Sequence, residues 1–442
     1  MSNKKTVDRR QQTVESMKNS REQTTCSRQG KTKGTLSTVY SLLSTWKREA
    51  GFTLVELMIT MVVFVFFIAA ASQVFTGLLT QFKQQSKMAE TNIEGIVGLD
   101  ILRQDIEHAG YGLPWNVRGV TDWASVPNYN EAVSATSTPN PANFNDGNPA
   151  SALPTPANTN RAPRAILSGN NSGVNGSDYL VLKAINVSTN FAAGKWQPIR
   201  AGNDSTMKTW WSEVNEYVCR NDKGDHYPDT RVIVISPGAT AANSRSLIVS
   251  GGSFFTGADN YSVLTNFAAF AGDPDVRIMY GVDPDTNLRM PFNRADYFIS
   301  NTNVPLRCAP NTGVLEKVVV NQSDGRLTNF LPLLDCVADM QVVVRRDTDG
   351  DGTIDTTTDD ISTLNAQQIR EQVKEVRVYI LAHEGQKDTN YTYPTSTITI
   401  PASPDPAAGV GSTFNLSTRI GTSWQNYRWK LYTIIVRSNN LK

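Results

Sequence analysis

Residues 51–82 read GFTLVELMITMVVFVFFIAAASQVFTGLLTQF, and no charged side chain occurs between Leu57 and Phe82. The stretch from Leu57 to Leu79 is nearly all apolar and long enough to cross a bilayer as a helix, which sets it apart from whatever body follows. Ahead of it, residues 1–51 carry 11 Lys/Arg against 4 Asp/Glu, a net of +7, whereas the rest of the chain carries 31 against 37, a net of −6. This basic flank, ending in Lys47 and Arg48, predicts that the short N-terminal side stays in the cytoplasm and that everything after Leu79 crosses the membrane. A cleaved secretory signal is the competing reading, with Ala69-Ala70-Ala71 as a small-residue cutting site. The apolar run continues past those alanines, however, and exceeds a usual signal core. Neither reading accounts for Glu56, a carboxylate at the edge of the apolar run, where an ionised group is expensive and marks function by default.

Set behind a basic leader and ahead of an apolar helix, Gly51-Phe52-Thr53-Leu54-Val55-Glu56 resembles the processing site of type IV prepilins and type II secretion pseudopilins. The resemblance implies that a prepilin peptidase cuts after Gly51, and that Phe52 becomes the N-methylated first residue of the mature chain. Glu56 would then sit fifth, placed to be neutralised by the α-amino group of Phe52 on a neighbouring subunit. Removing one partner of such a buried pair costs about 3–5 kcal/mol, so the pair specifies register more than stability. The leader is longer than is common for such proteins, and Met17 offers a second start that leaves the motif intact.

Beyond the membrane the helical pattern turns amphipathic. Ile93, Ile96, Leu99, Leu102 and Ile106 form the expected core stripe, with Lys83, Lys87, Glu90, Glu94 and Arg103 between them and Gly77, Gly95 and Gly98 as weak points. The stretch LDILRQDIEHAGYG (residues 99–112), followed by Leu113-Pro114, stops the helix near residue 110. Its Arg, Asp and Ala-Gly-Tyr in that order resemble the PilW-like minor pilins. Residues 125–165, rich in Asn, Pro, Ala, Ser and Thr, read as a long surface loop. Short β runs follow at Tyr179–Leu182, Arg231–Ile235, Leu247–Ser250, Val276–Tyr280, Tyr297–Ile299, Leu315–Val320, Gln341–Arg345, Glu375–Leu381 and Arg428–Val436. The alternation Val376, Val378, Ile380 predicts a strand with one buried face. The fold class is therefore α+β. A long N-terminal helix over 52–110, spanning the membrane at about 57–79, carries a large, mainly antiparallel head over 111–442. Gly176-Ser177-Asp178, Val337-Ala338-Asp339-Met340-Gln341-Val342 and the basic strand Arg428–Asn439 match the PilW-like family in order.

The chemistry is sparse. No G-x-S-x-G, Walker loop, H-E-x-x-H or Rossmann glycine fingerprint occurs, and the three histidines, His108, His226 and His383, lie far apart, so an enzyme is not expected. An acidic body argues against nucleic acid as primary partner. The exception is Asp347-Thr348-Asp349-Gly350-Asp351-Gly352-Thr353-Ile354-Asp355. Carboxylates at its first, third, fifth and ninth places, Gly at the sixth and the Thr353 carbonyl at the seventh reproduce a calcium loop. Thr358 stands where a bidentate Glu is usual, and Asp359 or Asp360 is the substitute. Of the cysteines, Cys26 lies in the leader, while Cys219, Cys308 and Cys336 would face an oxidising space. One bridge is the most these three can make. Cys308 with Cys336 fits best, spanning the Leu315–Val320 strand, and leaves Cys219 as a free thiol or small buried hydrophobe.

The expected function is that of a PilW-like minor pilin, anchored in the bacterial inner membrane with a periplasmic head and placed at or near the tip of a type IV pilus. Its partners would be prepilin peptidase, other minor and major pilins, and inner-membrane lipid. A J-type pseudopilin of a type II secretion system shares these features. A membrane-anchored, calcium-dependent adhesin is the alternative of another class.

Overall fold

The computed structural model describes residues 53–135, 139–146, 161–199, 230–238, 244–257, 266–267, 277–400 and 412–441. The leader with Cys26, the processing residues Gly51 and Phe52, and Cys219 lie outside them. The chain divides at Gly77 into two units. Helix α1 runs unbroken from Leu54 to Glu107, and every residue from Thr53 to Phe82 is exposed. By length and composition this helix can cross a membrane.

The second unit, from Leu78 onward, contains the rest of α1 and the head. Its strands in chain order are β1 (Asn116–Arg118), β2 (Ile166–Gly169), β3 (Tyr179–Ala184), β4 (Trp196–Ile199), β5 (Arg231–Ser236), β6 (Ser246–Ile248), β7 (Thr256–Gly257) and β8 (Arg277–Asp283). There follow β9 (Asn293–Ser300), β10 (Gly313–Val320), β11 (Leu327–Arg346), β12 (Thr356–Thr358), β13 (Val373–Glu384), β14 (Thr397–Ile400), β15 (Ser412–Asn415) and β16 (Arg428–Val436). Two short helices intervene, α2 (Ala366–Gln372) and α3 (Leu416–Arg419).

The large sheet has the order β16-β13-β11-β10-β9-β3-β2, with β12 hooked onto β11. Every pairing in it is antiparallel. A smaller sheet, β1-β6-β5-β8-β4 with β7, takes β4 to β8 from between β3 and β9 and β1 from ahead of β2, and its β1–β6 pair is parallel. The fold is thus α+β and mainly antiparallel, with a long apolar N-terminal helix.

Within the helix and strands, four sequence expectations change. The line that α1 buries begins with Gly95 and Gly98, then follows Leu99, Leu102, Asp105 and Ile106, whereas Ile93 and Ile96 remain 65% exposed. The glycines are close-approach points and not breaks: a Cβ on Gly98 would stand 1.9 Å from the Leu333 carbonyl oxygen of β11. The strand around Gln341 is the 20-residue β11, which passes Pro332 and shifts register between Val337 and Asp339. Next to that shift, Cys336 occupies the left-handed region at φ +58°. Finally, β13 buries both faces. Val376, Val378 and Ile380 join the main core with Leu102 and Ile106, while Tyr379 and Leu381 pack on the opposite side under Phe414, Leu416, Trp424 and Trp429.

The expected surface loop at 125–165 is largely interior where it is described. Tyr129, Glu131, Ala132, Phe144, Asn145, Asp146, Ala162 and Arg164 are all buried. Polarity misleads there because the charged members are buried as partners of one another, which hydropathy cannot register.

Candidate functional site

The helix begins with Thr53 as its cap. The Glu56 backbone N–H donates to Thr53 Oγ1 at 3.3 Å, and the Thr53 backbone N–H donates to Glu56 Oε2 at 3.0 Å. This is a reciprocal capping box, Thr-x-x-Glu, satisfying two of the donors that a helix start leaves free. The Thr-x-x-Glu spacing is present in Thr53-Leu54-Val55-Glu56 itself. Glu56 therefore closes its own helix start in the single subunit.

At the other end of α1, Asp105 projects into the head and accepts hydrogen bonds from Lys317 Nζ and Tyr297 Oη. Asp105 is 8% and Lys317 5% exposed, so losing either strands a charge inside the protein. Burial and the adjacent carboxylate push the Tyr297 phenol well above its ordinary range. The C-terminal segment covers the same helix end. Asn439 N donates to the Glu107 carbonyl at 3.1 Å, and Asn439 Nδ2 donates to Glu107 Oε1 at 3.0 Å.

Two head stretches that carry the pilin resemblance meet each other. Asp178 N donates to the Met340 carbonyl at 2.8 Å, Val342 N donates to Asp178 Oδ2 at 2.7 Å, and Gln341 Nε2 donates to the Gly176 carbonyl at 3.2 Å. The Asp178 side chain thus stands in for a strand along the part of β11 that β10 does not reach. Burial pushes Asp178 up to about 7, against the pull of the Val342 and Asn171 N–H donors. Asp339, also buried, is pushed up to about 6.

Of the proposed calcium ligands, Asp347, Asp349 and Asp355 offer carboxylate oxygens within 4.8 Å of one another. That spacing fits oxygens sharing one Ca²⁺ at about 2.3–2.6 Å each. Asp351 instead accepts from Thr353 N at 2.6 Å, and Asp359 lies where its charge acts on Asp178, so neither belongs to the group. Asp347, almost fully buried, accepts from Gly350 N at 2.7 Å and Gly352 N at 3.0 Å, with Lys374 Nζ at 3.9 Å. Gly350 and Gly352 have φ of +81° and +88°, which only glycine adopts without strain. Asp355 is held below its usual range by hydrogen bonds from the Thr348 hydroxyl and backbone.

Cys308 and Cys336 are joined as a disulfide, with Cα atoms 4.9 Å apart. The bridge ties the segment before β10 to the bend of β11; for a loop of this size the chain-entropy contribution is about 3–4 kcal/mol. His383 lies beside it, accepting from Ala309 N at 2.8 Å, and burial pushes its imidazole down to about 3.

Residues 46–72 match the family model of the prokaryotic N-terminal methylation motif. The motif supports a type IV prepilin-like protein. Neither curated proteins nor solved structures give a match to the chain. For a prepilin-like chain the motif implies processing by prepilin peptidase and association with other pilins, and together with α1 it is consistent with anchoring in the inner membrane. It also suggests a structural role in place of an enzymatic one.

Proposed function

We propose that the chain is a minor pilin of the PilW-like type, cut after Gly51, methylated at Phe52, and built into a type IV pilus at or near its tip to prime or join assembly. Its head would be periplasmic before assembly. The observation that carries this reading is the interlock of Gly176-Ser177-Asp178 with Asp339-Met340-Gln341-Val342, because the stretches that resemble the family are structurally joined as well as ordered alike. The surface agrees with subunit packing: Ile93, Ile96 and Val97 of α1 and Ile435 of the edge strand β16 are at least half exposed. Calcium held by Asp347, Asp349 and Asp355 is part of the same proposal.

The test is deletion of the gene in its own host. Loss of surface pili with type II secretion intact, restored by the full chain, is the expected result. Loss of secretion with pili unchanged would assign the chain to the J-type pseudopilins instead.

A further inference from the structure

Six charged side chains are fully excluded from solvent where Glu131, Asp146 and Arg164 meet β3 and β9: these three with Lys183, Arg294 and Asp296. Three positive and three negative groups balance, and their contacts are not evenly shared. Arg294 grips Asp296 through Nε at 2.7 Å and Nη2 at 2.8 Å. Lys183 Nζ stands between two carboxylates, 2.6 Å from Asp146 Oδ2 and 2.7 Å from Glu131 Oε2. A lysine, an aspartate and a glutamate held this closely and shut off from bulk solvent are the parts needed to make an amide.

We propose that Lys183 and Asp146 condense into an intramolecular isopeptide bond, with Glu131 relaying the protons. Lys183 Nζ gives a proton to Glu131 Oε2, and its freed lone pair attacks Cγ of Asp146. The Cγ–Oδ2 bond then breaks with its electron pair on oxygen. That oxygen leaves as water with two protons, one returned by Glu131 and one released by the attacking nitrogen. The ammonium's third hydrogen stays on the amide nitrogen, so no oxidant, reductant or other reactant is needed.

The surroundings choose Asp146 over Glu131 as the acyl partner. On Asp146, the oxygen remote from the amine, Oδ1, receives the Arg164 guanidinium at 2.7 Å, a cation placed to hold the negative charge that develops there. On Glu131 the corresponding oxygen, Oε1, accepts from Tyr129 Oη and Asp146 N, both at 2.9 Å, and the residue's guanidinium contact, Arg294 Nη1 at 3.2 Å, falls on Oε2, the oxygen beside the amine. The Phe292 ring lies 5.4 Å from Lys183 Nζ and forms part of the dry wall. Held geometry replaces a bimolecular encounter. The bond removes one positive and one negative charge together, so Arg164, Arg294, Glu131 and Asp296 remain balanced.

The purified full chain, unfolded, reduced and digested, decides the matter by mass spectrometry. The expected result is one peptide joining the segments that contain Asp146 and Lys183, lighter than their sum by one water. Lys183→Arg and Glu131→Gln should each leave the two segments separate. Unlinked, full-mass segments from the wild-type protein would overturn the proposal whether or not the variants fold. A bond from Lys183 to Glu131, or a link that persists in Glu131→Gln, would overturn the assigned roles.

Discussion

Glu56 both caps its own helix and is proposed to set register against Phe52 of a neighbour, and two substitutions separate these tasks. Glu56→Gln keeps an acceptor for the Thr53 N–H, whereas Glu56→Ala loses the cap as well, at about 1 kcal/mol. Both variants should be processed and reach the membrane. Neither should appear in sheared pili, because both lack the charge; a Gln variant that assembles normally would reduce Glu56 to a cap. Asp178 gives a test in pH. Its folded value near 7 exceeds the unfolded value of about 3.9, so between those limits the folded state keeps a proton that the unfolded chain has released. Stability is therefore lost as pH rises through this window, by as much as about 4 kcal/mol. Unfolding midpoints of wild type and Asp178→Asn, compared from pH 4.5 to 8, should move in the variant's favour as pH increases. The opposite dependence of His383, whose neutral buried ring loses stability as pH falls below about 6.5, is common to both proteins and cancels. Asp178 was legible as a motif residue but its task was not, because the backbone it serves lies on a strand more than 160 positions later.

The junction between α1 and β11 depends on the absence of a side chain. Gly98→Ala would drive a methyl group into the Leu333 carbonyl, whereas nothing stands within 4 Å of the corresponding point on Gly77. Urea unfolding should show Gly98→Ala destabilised by about 1–3 kcal/mol, as in other overpacked sites. Gly77→Ala should be neutral or stabilising by up to about 1 kcal/mol. In the sequence both glycines read as helix breakers, since spacing cannot distinguish a weak point from a point of contact. The loop from Asp347 to Asp355 makes a similar demand in solution. Millimolar calcium should raise the melting temperature of the full chain, by about 2.7 kcal/mol of added stability at a hundredfold excess over Kd, with magnesium a poor substitute. Asp349→Ala should abolish the gain, and Asp351→Ala, whose carboxylate is turned to Thr353, should leave it largely intact. A melting temperature indifferent to calcium in the wild type would leave an acidic turn held by its own amides. The metal-ligand pattern could be read by counting positions, but which carboxylates converge is set by the hydrogen bonds of the turn.

For the molecule as a whole, mass spectrometry of the mature protein should find methylated Phe52 at the N-terminus, and Gly51→Ala should leave the precursor uncut; an N-terminus at Ser72 would mean an ordinary signal. The long apolar helix and the antiparallel head were legible because apolar run length and strand alternation are local properties. The interior of the 125–165 segment was not, because its burial depends on charges contributed by β3 and β9. The clasp of Asn439 on Glu107 joins positions 332 residues apart, and Tyr432 of β16 flanks the same helix beside Gly95. Contacts so distant in sequence carry the highest loop-closure cost and form late. In a chain exported N-terminus first, as the proposed function requires, α1 would be in place before β16 is made, and its Gly95 stretch would wait for Tyr432. If the chain enters a polymer as proposed, a subunit whose β16 is not yet docked would differ from a finished one at the Gly95 stretch of α1, and that difference would mark which subunits are ripe for assembly.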